Sequence, residues 1–228
     1  MDLLNIFLNL LEGFGVTLLL FVLTLVFALP LGLLISFFSK SKIKIIRSIT
    51  RVFISIIRGT PLMLQLIVVF YGPGLVFGPE IGFKNVSFFG LTLNGRMLAA
   101  TIAFVINYSC YFSEIYRGGI EAIPKGQYEA GKVLGLKKNQ IFSKIVLLQV
   151  IKHIVPPMGN EIITLVKDTS LARTIAIIEL TDIAFDLRKA QGGGLWPLLA
   201  AGAFYFVFNV IVAFVLRKIE KKLEYIKV

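Results

Sequence analysis

The sequence predicts an all-α integral membrane protein with about five transmembrane helices. Hydrophobic residues make up 57% of the 228 residues, whereas apolar residues make up roughly 45–50% of a soluble domain. The mean hydropathy is +0.84, and several apolar runs exceed the length of about 20 residues that crosses a hydrocarbon core. We therefore expect one transmembrane domain over 1–228, with spans at about 13–38, 54–77, 96–116, 158–180 and 196–216.

The basic residues predict which side of the membrane each loop occupies. The net charge is +11, and most of the 24 lysines and arginines lie after span one, between spans three and four, or after span five. Basic loops stay in the cytoplasm, so we expect the N-terminus outside and the C-terminus, which includes Lys227, inside. This topology needs an odd number of spans and explains the charge without a nucleic-acid partner.

The first two spans both contain residues that disturb a helix. Pro30 and Gly32 predict a kink in span one, which neighbouring helices would have to tolerate. Span two contains the sequence Arg58-Gly-Thr-Pro61. Proline cannot donate to the helical hydrogen-bond ladder, so this sequence predicts a helix start or break near the membrane surface. The long side chain of Arg58 would extend to that surface.

One face of span three is polar. Asn107, Tyr111 and Glu114 are spaced i, i+4, i+7, so they share one side of a helix and should face protein or water rather than lipid. Arg117 follows Glu114 by three residues and would pair with it. Cys110 is the only cysteine, so we expect a small buried side chain and no intrachain disulfide.

The loop at 117–140 is polar in a chain that is otherwise apolar. Its sequence predicts a short helix that begins after Pro124 and ends near Gly135, with Val133 and Leu134 on an apolar side. A short helix between membrane spans is either a surface anchor or a docking element for a partner outside the membrane. We favour the docking element.

The segment 141–157 is too charged for a clean span and too apolar for a free loop. We expect it to lie along the cytoplasmic interface. Pro156 and Pro157 would break the helix and redirect the chain across the membrane. His153 has no second His or Cys beside it, so we expect an interfacial side chain and no metal site.

Span four carries the largest number of polar residues. A charge at the bilayer centre costs about 2.5–3.5 kcal/mol on translocon scales, so charges within a span are functional candidates. At 100° per residue, the polar side chains occupy an arc of about 120°. They would line an aqueous path for a small charged solute or form a buried ion network between helices, and both interpretations stay open. The residues of the arc are Asn160, Glu161, Thr164, Lys167 and Asp168.

Span five lies between a flexible outer segment and a basic terminus. Arg188 and Lys189 precede three consecutive glycines, and Trp196 follows them at the position where Trp is common in membrane interfaces. Arg217 and Lys218 end the span on the cytoplasmic side.

Three parts of the chain together resemble one known family. They are the block 114–136, the block 160–171 followed by Glu179-Leu180, and Arg58-Gly-Thr-Pro61. They resemble the permease subunits of polar amino acid ABC importers, the group that serves histidine, glutamine, glutamate and arginine. The resemblance covers nearly the whole chain. It implies the type I importer permease fold, with a cytoplasmic coupling helix in the loop 117–140.

The resemblance implies a docking surface for an ATPase subunit. The family's EAA motif matches Glu129-Ala130, with Gly135 downstream. Two positions depart from the family pattern: Gly131 replaces the third residue of the motif, and Leu148 stands where Pro often precedes Gln149. Glycine in a helix costs about 1 kcal/mol relative to alanine, and neither change removes the surface. The residues expected to dock are Gln127, Tyr128, Glu129, Ala130, Gly131, Leu134 and Gly135.

The resemblance also implies an assembly in the cytoplasmic membrane of a prokaryote. Two permease subunits would meet in the membrane, and we favour a homodimer. Two ATP-binding cassette ATPase subunits would bind on the cytoplasmic side, and a solute-binding protein would bind outside. The sequence contains no Gly-x-x-x-x-Gly-Lys-Ser/Thr phosphate loop. ATP and Mg would therefore belong to the partner ATPase, and this chain would be a transport subunit rather than an enzyme.

These expectations combine into an importer that moves a polar amino acid by alternating access. The solute carries a carboxylate and an ammonium group, so Lys167 would bind the first, and Asp168 and Glu161 would bind the second or a cationic side chain. The excess of acids favours a basic amino acid. The expected substrate-binding residues are Asn160, Glu161, Thr164, Lys167, Asp168 and Ser170.

Two other classes of protein were weighed against the importer. An ion-coupled secondary amino acid transporter is the alternative, since it also uses charges at the membrane midplane. Such transporters usually have more spans and inverted repeats, and the docking loop would be unexplained. An intramembrane enzyme has less support, because the sequence offers no nucleophile beside a base and no zinc-binding pair.

Overall fold

The computed structural model describes residues 3–88 and 91–224 as a helical protein with one short β-hairpin. Lys227, which belongs to the predicted cytoplasmic terminus, lies outside these residues. A 3-10 helix at Pro79–Ile81, a π-helical turn at Phe142–Val146 and a 3-10 helix at Thr169–Ile175 connect larger elements, and β1 pairs antiparallel with β2. These larger elements are α1 (Leu3–Ser39), α2 (Lys44–Gly59), α3 (Leu62–Phe77), β1 (Val86–Phe88), β2 (Leu91–Leu93), α4 (Gly95–Glu121), α5 (Lys125–Val133), α6 (Lys138–Ile141), α7 (Leu147–Asp168), α8 (Leu180–Ala190) and α9 (Trp196–Glu224).

Within the described residues, four helical segments are long and apolar enough to cross a membrane. They are Leu4–Ser39, Gly95–Glu121, Lys138–Ile175 and Trp196–Leu223. Helices α2 and α3 form a fifth candidate if the pair, which is bent by 106°, is taken as one span. The prediction of an all-α membrane protein with about five spans is therefore confirmed.

The break between α2 and α3 falls at the sequence that predicted it. Thr60 and Pro61 separate the two helices, and Pro61 occupies the position before the first residue of α3. The side-chain nitrogen of Gln65 lies 2.7 Å from the carbonyl oxygen of Ile57 and 2.8 Å from the hydroxyl of Thr60. The amide thereby contacts a carbonyl that the interrupted helix leaves without its usual partner.

Helix α4 lies at the centre of the molecule and packs closely against α1. Ala100, Ala103, Phe104 and Phe112 of α4 are all fully buried in the main hydrophobic cluster. A Cβ atom on Gly32 of α1 would lie 2.8 Å from the Cβ of Phe112, a distance that the packing could not accept. Glycine at this position therefore allows the two helices to touch.

Contacts at the helix termini define two opposite ends of the molecule. At one end, Lys40 after α1 pairs with Glu121 at the end of α4 (3.9 Å), and α5 follows directly. At the other end, the guanidinium of Arg96 at the start of α4 donates to the carbonyl of Ala176 (3.2 Å). Helix α5 and the segment that leads into α8 therefore lie at opposite ends of α4.

The prediction that Pro156 and Pro157 break a helix is wrong. Both prolines lie inside α7, which begins at Leu147 and ends at Asp168, where predicted span four continued to 180. Each proline removes one backbone donor, but α7 packs against α4 and α9, and these contacts hold it helical through the two residues. The segment 138–175 is continuous through both prolines, is long and apolar enough to cross a membrane, and overlaps the predicted span at 158–180.

Candidate functional site

A cavity of about 430 Å³ lies where α2 and α3 meet and where α4 and α7 face them. We call it the acidic cavity, because two of the residues that line it are carboxylates. The α2–α3 junction contributes a guanidinium and a hydroxyl, α4 contributes an amide and two phenols, and α7 contributes the acids. The polar lining residues are Arg58, Thr60, Asn107, Tyr108, Tyr111, Glu161, Thr164 and Asp168.

Two hydrogen bonds between helices fix the walls of the acidic cavity. The hydroxyl of Tyr108, which is only 2% exposed, donates to Oδ2 of Asp168 at 2.7 Å. The amide of Asn107 donates to Oε1 of Gln65 at 3.0 Å. The first bond joins α4 to α7 and the second joins α4 to α3. The carboxylate of Asp168 is therefore held in one orientation at the cavity wall.

Three of the six predicted substrate-binding residues line this cavity. With Asn160 at 0° and 100° per residue, these three residues lie between about 40° and 100° around the axis of α7. This part of the helix faces α4. The residues are Glu161, Thr164 and Asp168. Asn160 and Lys167, at the other edge of the predicted arc, are exposed and do not line the cavity. Ser170 donates to the carbonyl of Lys167 (2.8 Å) and does not line it either.

Arg58 was not among the predicted substrate-binding residues, although it lines the acidic cavity. Its guanidinium carbon lies 4.9 Å from the ring centroid of Tyr111, and Nη1 lies 3.8 Å from a carboxylate oxygen of Glu114. A guanidinium over a tyrosine ring is attracted by the negative face of the ring. Arg58 contacts α4 in this way because it is the penultimate residue of α2, immediately before the bend.

A second cavity of about 510 Å³ adjoins the first and shares Arg58 and Gly59 with it. We call it the arginine cavity. Arg51, Ser55 and Arg58 of α2 line one side, and Glu114 and Arg117 of α4 line the other. Glu114 pairs with Arg117 at 2.6 Å, as the spacing in the sequence predicted. The polar face of span three therefore borders both cavities.

Helix α5 and its C-terminal cap present an apolar surface that the rest of the described chain leaves exposed. Val133 is 89% exposed and Leu134 is 74% exposed, and Glu129 and Ala130 are exposed beside them. The predicted helix between Pro124 and Gly135 is confirmed, since α5 covers Lys125–Val133. The backbone of Gly135 has a φ of +75°, which favours glycine.

The opposite face of α5 packs on the rest of the chain. Gly131 is buried, and a Cβ atom there would lie 2.7 Å from Cγ1 of Ile141. The half-buried ring of Tyr128 packs on the same small hydrophobic cluster, which contains Ile123 and Val146. The departure from the family motif at Gly131 thus has a structural reason, because an alanine would collide with Ile141. Gln127 is half-buried.

The pair Glu179-Leu180, which forms part of the family resemblance, has a structural role in this chain. The buried carboxylate of Glu179 accepts hydrogen bonds from the backbone N–H groups of Thr181 (2.8 Å) and Asp182 (2.9 Å) at the start of α8. The hydroxyl of Tyr205 on α9 donates to the same carboxylate at 3.0 Å. Arg173, in the 3-10 helix that precedes α8, pairs with Asp182 at 2.9 Å. These bonds fix α8 at the end opposite α5.

Comparisons with known proteins give a consistent result. Residues 28–225 match the family model described as "Binding-protein-dependent transport system inner membrane component". The chain is 34% identical to the arginine transport system permease protein ArtQ of Bacillus subtilis, over 94% of this chain and 92% of that protein. It is 32% identical to a putative glutamine transport system permease protein GlnP of Rickettsia bellii, over 93% and 91%. A solved amino acid ABC transporter with histidines is similar at a TM-score of 0.82 and 29% identity, covering 97% of this chain and 99% of the other.

Proposed function

This chain belongs to the family of inner membrane components of binding-protein-dependent transport systems, and we propose that it is the membrane-spanning subunit of an ATP-driven amino acid importer. The observation that carries the proposal is the acidic cavity, which offers two carboxylates and a guanidinium at a break between helices. None of the relatives described above is an ion-coupled transporter, so nothing favours that alternative.

The acidic cavity suits the two charged groups of an α-amino acid. In our proposal Glu161 and Asp168 bind the ammonium group or a cationic side chain, and the hydroxyl of Thr164 adds a hydrogen bond. Arg58 takes the carboxylate, because it lines the cavity whereas Lys167 does not. Asn160, Lys167 and Ser170 lie outside the cavity and would contact the solute only as it enters or leaves.

The charge of the cavity favours a basic amino acid. Two carboxylates line it, and its single guanidinium, that of Arg58, lies close to a further carboxylate, that of Glu114. A cationic side chain would offset this excess of negative charge, since an opposite charge within a few ångströms favours the ionised form of both groups. The permease of Bacillus subtilis named for arginine transport is consistent with such a solute. We therefore take L-arginine as the test substrate.

Helix α5 is the proposed contact with the ATPase subunit. Its exposed apolar pair, Val133 and Leu134, and the adjacent Glu129 would be covered by a groove of that subunit. An exposed apolar patch rimmed by polar residues marks an interaction site. ATP and Mg would bind to the ATPase, because this chain has no phosphate-binding loop. Closure of the ATPase pair around ATP would move α5 and reorient the helices that line the acidic cavity.

The proposed assembly contains two further components. A second copy of this chain completes the membrane unit, and a solute-binding protein delivers the amino acid at the end of α4 opposite α5. The charge distribution supports a cytoplasmic position for α5, with the N-terminus outside and the C-terminus inside. Residues 1–228 would then form a single permease domain in the cytoplasmic membrane.

Uptake into liposomes tests the proposal. The purified chain is reconstituted with its cognate ATPase and binding protein, and uptake of labelled L-arginine is measured with ATP inside the vesicles. We expect uptake that requires ATP, the ATPase and the binding protein. Uptake driven by an ion gradient with no ATPase present would instead support the secondary transporter and refute the importer.

A further inference from the structure

The arginine cavity contains charged residues to which the proposed function gives no role, namely Arg51, Glu114 and Arg117. Arg51, Arg58 and Arg117 line it against one carboxylate, that of Glu114. Arg117 divides its contacts between Glu114 (2.6 Å) and Glu121 (2.7 Å), whereas Arg51 has no carboxylate within salt-bridge distance among the described residues. The cavity therefore has an excess of positive charge, which suits an anionic group.

The orientation of α2 shows that this cavity faces away from lipid. At 100° per residue, Arg51, Ser55 and Arg58 share a face about 60° wide, and this face lines the cavity together with α4. The opposite face carries exposed isoleucines such as Ile49 and Ile56. An amphipathic helix of this kind turns its apolar face to the membrane. The polar face, with the arginine cavity, then borders an aqueous space.

The two cavities are successive along α4. Tyr108 lines the acidic cavity and Arg117 lines the arginine cavity, and nine residues of helix place them about 13 Å apart along the axis. The arginine cavity is the one nearer to α5. Arg58 and Gly59 form the wall that the two cavities share, so the guanidinium of Arg58 is available to a solute in either.

We propose that the arginine cavity is a second binding site for the amino acid, which holds its carboxylate after the solute leaves the acidic cavity. This inference rests on the proposed function. Arg58 keeps its contact with the carboxylate as the solute passes, and Arg51 becomes the second guanidinium in contact with it. The ammonium group exchanges Glu161 and Asp168 for Glu114. Each cavity thus offers both signs of charge, with acids in excess in the first and bases in excess in the second.

Thiol labelling tests the second site directly. Ser55→Cys places a reporter in the arginine cavity, and Ser48→Cys places a matched control on the polar face of α2 outside it. Gly59→Cys reports on both cavities, because Gly59 lines the wall that they share and a Cβ there meets no atom within 4 Å. The native Cys110 is fully buried, and its labelling in the unsubstituted chain gives the background. The rate of reaction with an anionic methanethiosulfonate is measured on the reconstituted complex, without nucleotide and with ADP and vanadate.

L-arginine should protect the thiols in the arginine cavity. At about ten times its half-saturating concentration, it should slow the labelling of Ser55→Cys about tenfold in at least one nucleotide condition, because the rate follows the fraction of empty sites. Labelling of Ser48→Cys should not change. Adding Arg51→Gln to Ser55→Cys should abolish the protection of the thiol by L-arginine. Adding Arg47→Gln, which lies one helical turn earlier on α2, should leave this protection intact.

Two results would overturn the second site. The first is a complex that imports arginine with ATP but shows no protection of Ser55→Cys in either condition. The second is protection by phosphatidylglycerol vesicles and not by arginine, which would identify a lipid headgroup site. Failure of the proposed function is a different observation, namely the absence of ATP-dependent arginine uptake by the unsubstituted complex.

Discussion

Asp168→Asn tests the role of the acidic cavity most directly. The substitution removes one negative charge but keeps an oxygen that can accept the hydrogen bond from Tyr108, which now spans 2.7 Å. The packing of α4 against α7 should therefore survive. The substitution should therefore weaken the binding of the solute without disturbing the fold, unlike substitutions that remove the side chain.

The expected loss follows from the contact that disappears. A hydrogen bond between charged groups contributes about 1.5–3 kcal/mol, and each 1.36 kcal/mol corresponds to a factor of ten in rate. Because Asp168 is half-buried, solvent screens the interaction only in part. We expect ATP-driven uptake of L-arginine to fall about 10- to 100-fold, whereas ATP hydrolysis stimulated by the binding protein should remain.

The assay is arginine uptake by proteoliposomes, with ATP hydrolysis and thermal stability measured on the same preparations. Asp186→Asn is the matched control, since Asp186 is an exposed acid on α8 that pairs with Lys189 at 3.0 Å. Wild-type uptake by Asp168→Asn would refute the reasoning and leave the polar arc of α7 as a structural network. An equal loss in Asp186→Asn would show that the effect is not specific to the cavity.

Three further substitutions test the docking helix and the helix packing. Glu129→Arg reverses an exposed charge on α5, so co-purification with the ATPase and uptake should be lost while the thermal unfolding of the isolated chain stays unchanged; normal co-purification would contradict the docking assignment. Gly131→Val should destabilise α5 by about 1–3 kcal/mol through overpacking, and protease sensitivity of the loop measures this loss. Gly126→Val is the control, because a Cβ at Gly126 meets no atom within 4 Å, and it should leave the protease sensitivity unchanged. Gly32→Val should lower the unfolding temperature and the yield because its Cβ meets α4 at 2.8 Å, and equal behaviour of Gly15→Val, which meets nothing within 4 Å, would refute this.

The sequence predicted the elements that depend on local pattern. Helix α5 followed from a polar loop bounded by Pro124 and Gly135, and the break in span two followed from Pro61. The pair Glu114–Arg117 followed from helical spacing. Each of these features is decided by residues within a few positions of one another, so the sequence contains the necessary information.

The features that were missed depend on contacts between distant segments. Pro156 and Pro157 lie inside α7 because α4 and α9 pack on it, and no local rule predicts that support. Arg58 lines the acidic cavity because a 106° bend follows it, whereas the sequence indicated only that a break was present. The helical arc of span four includes three residues that line the acidic cavity, but which half of the arc faces α4 depends on how α7 is rotated. That rotation placed Lys167 outside the cavity.

The amide of Gln65 has a mechanical consequence. Its nitrogen contacts the end of α2 and the linker, and its oxygen accepts from Asn107 of α4, so one side chain joins three segments. These hydrogen bonds oppose a change in the angle between α2 and α3, because opening the angle would break the contacts of Gln65 with Ile57 and Thr60. A movement that begins at α5 would rotate α2 and α3 as a unit.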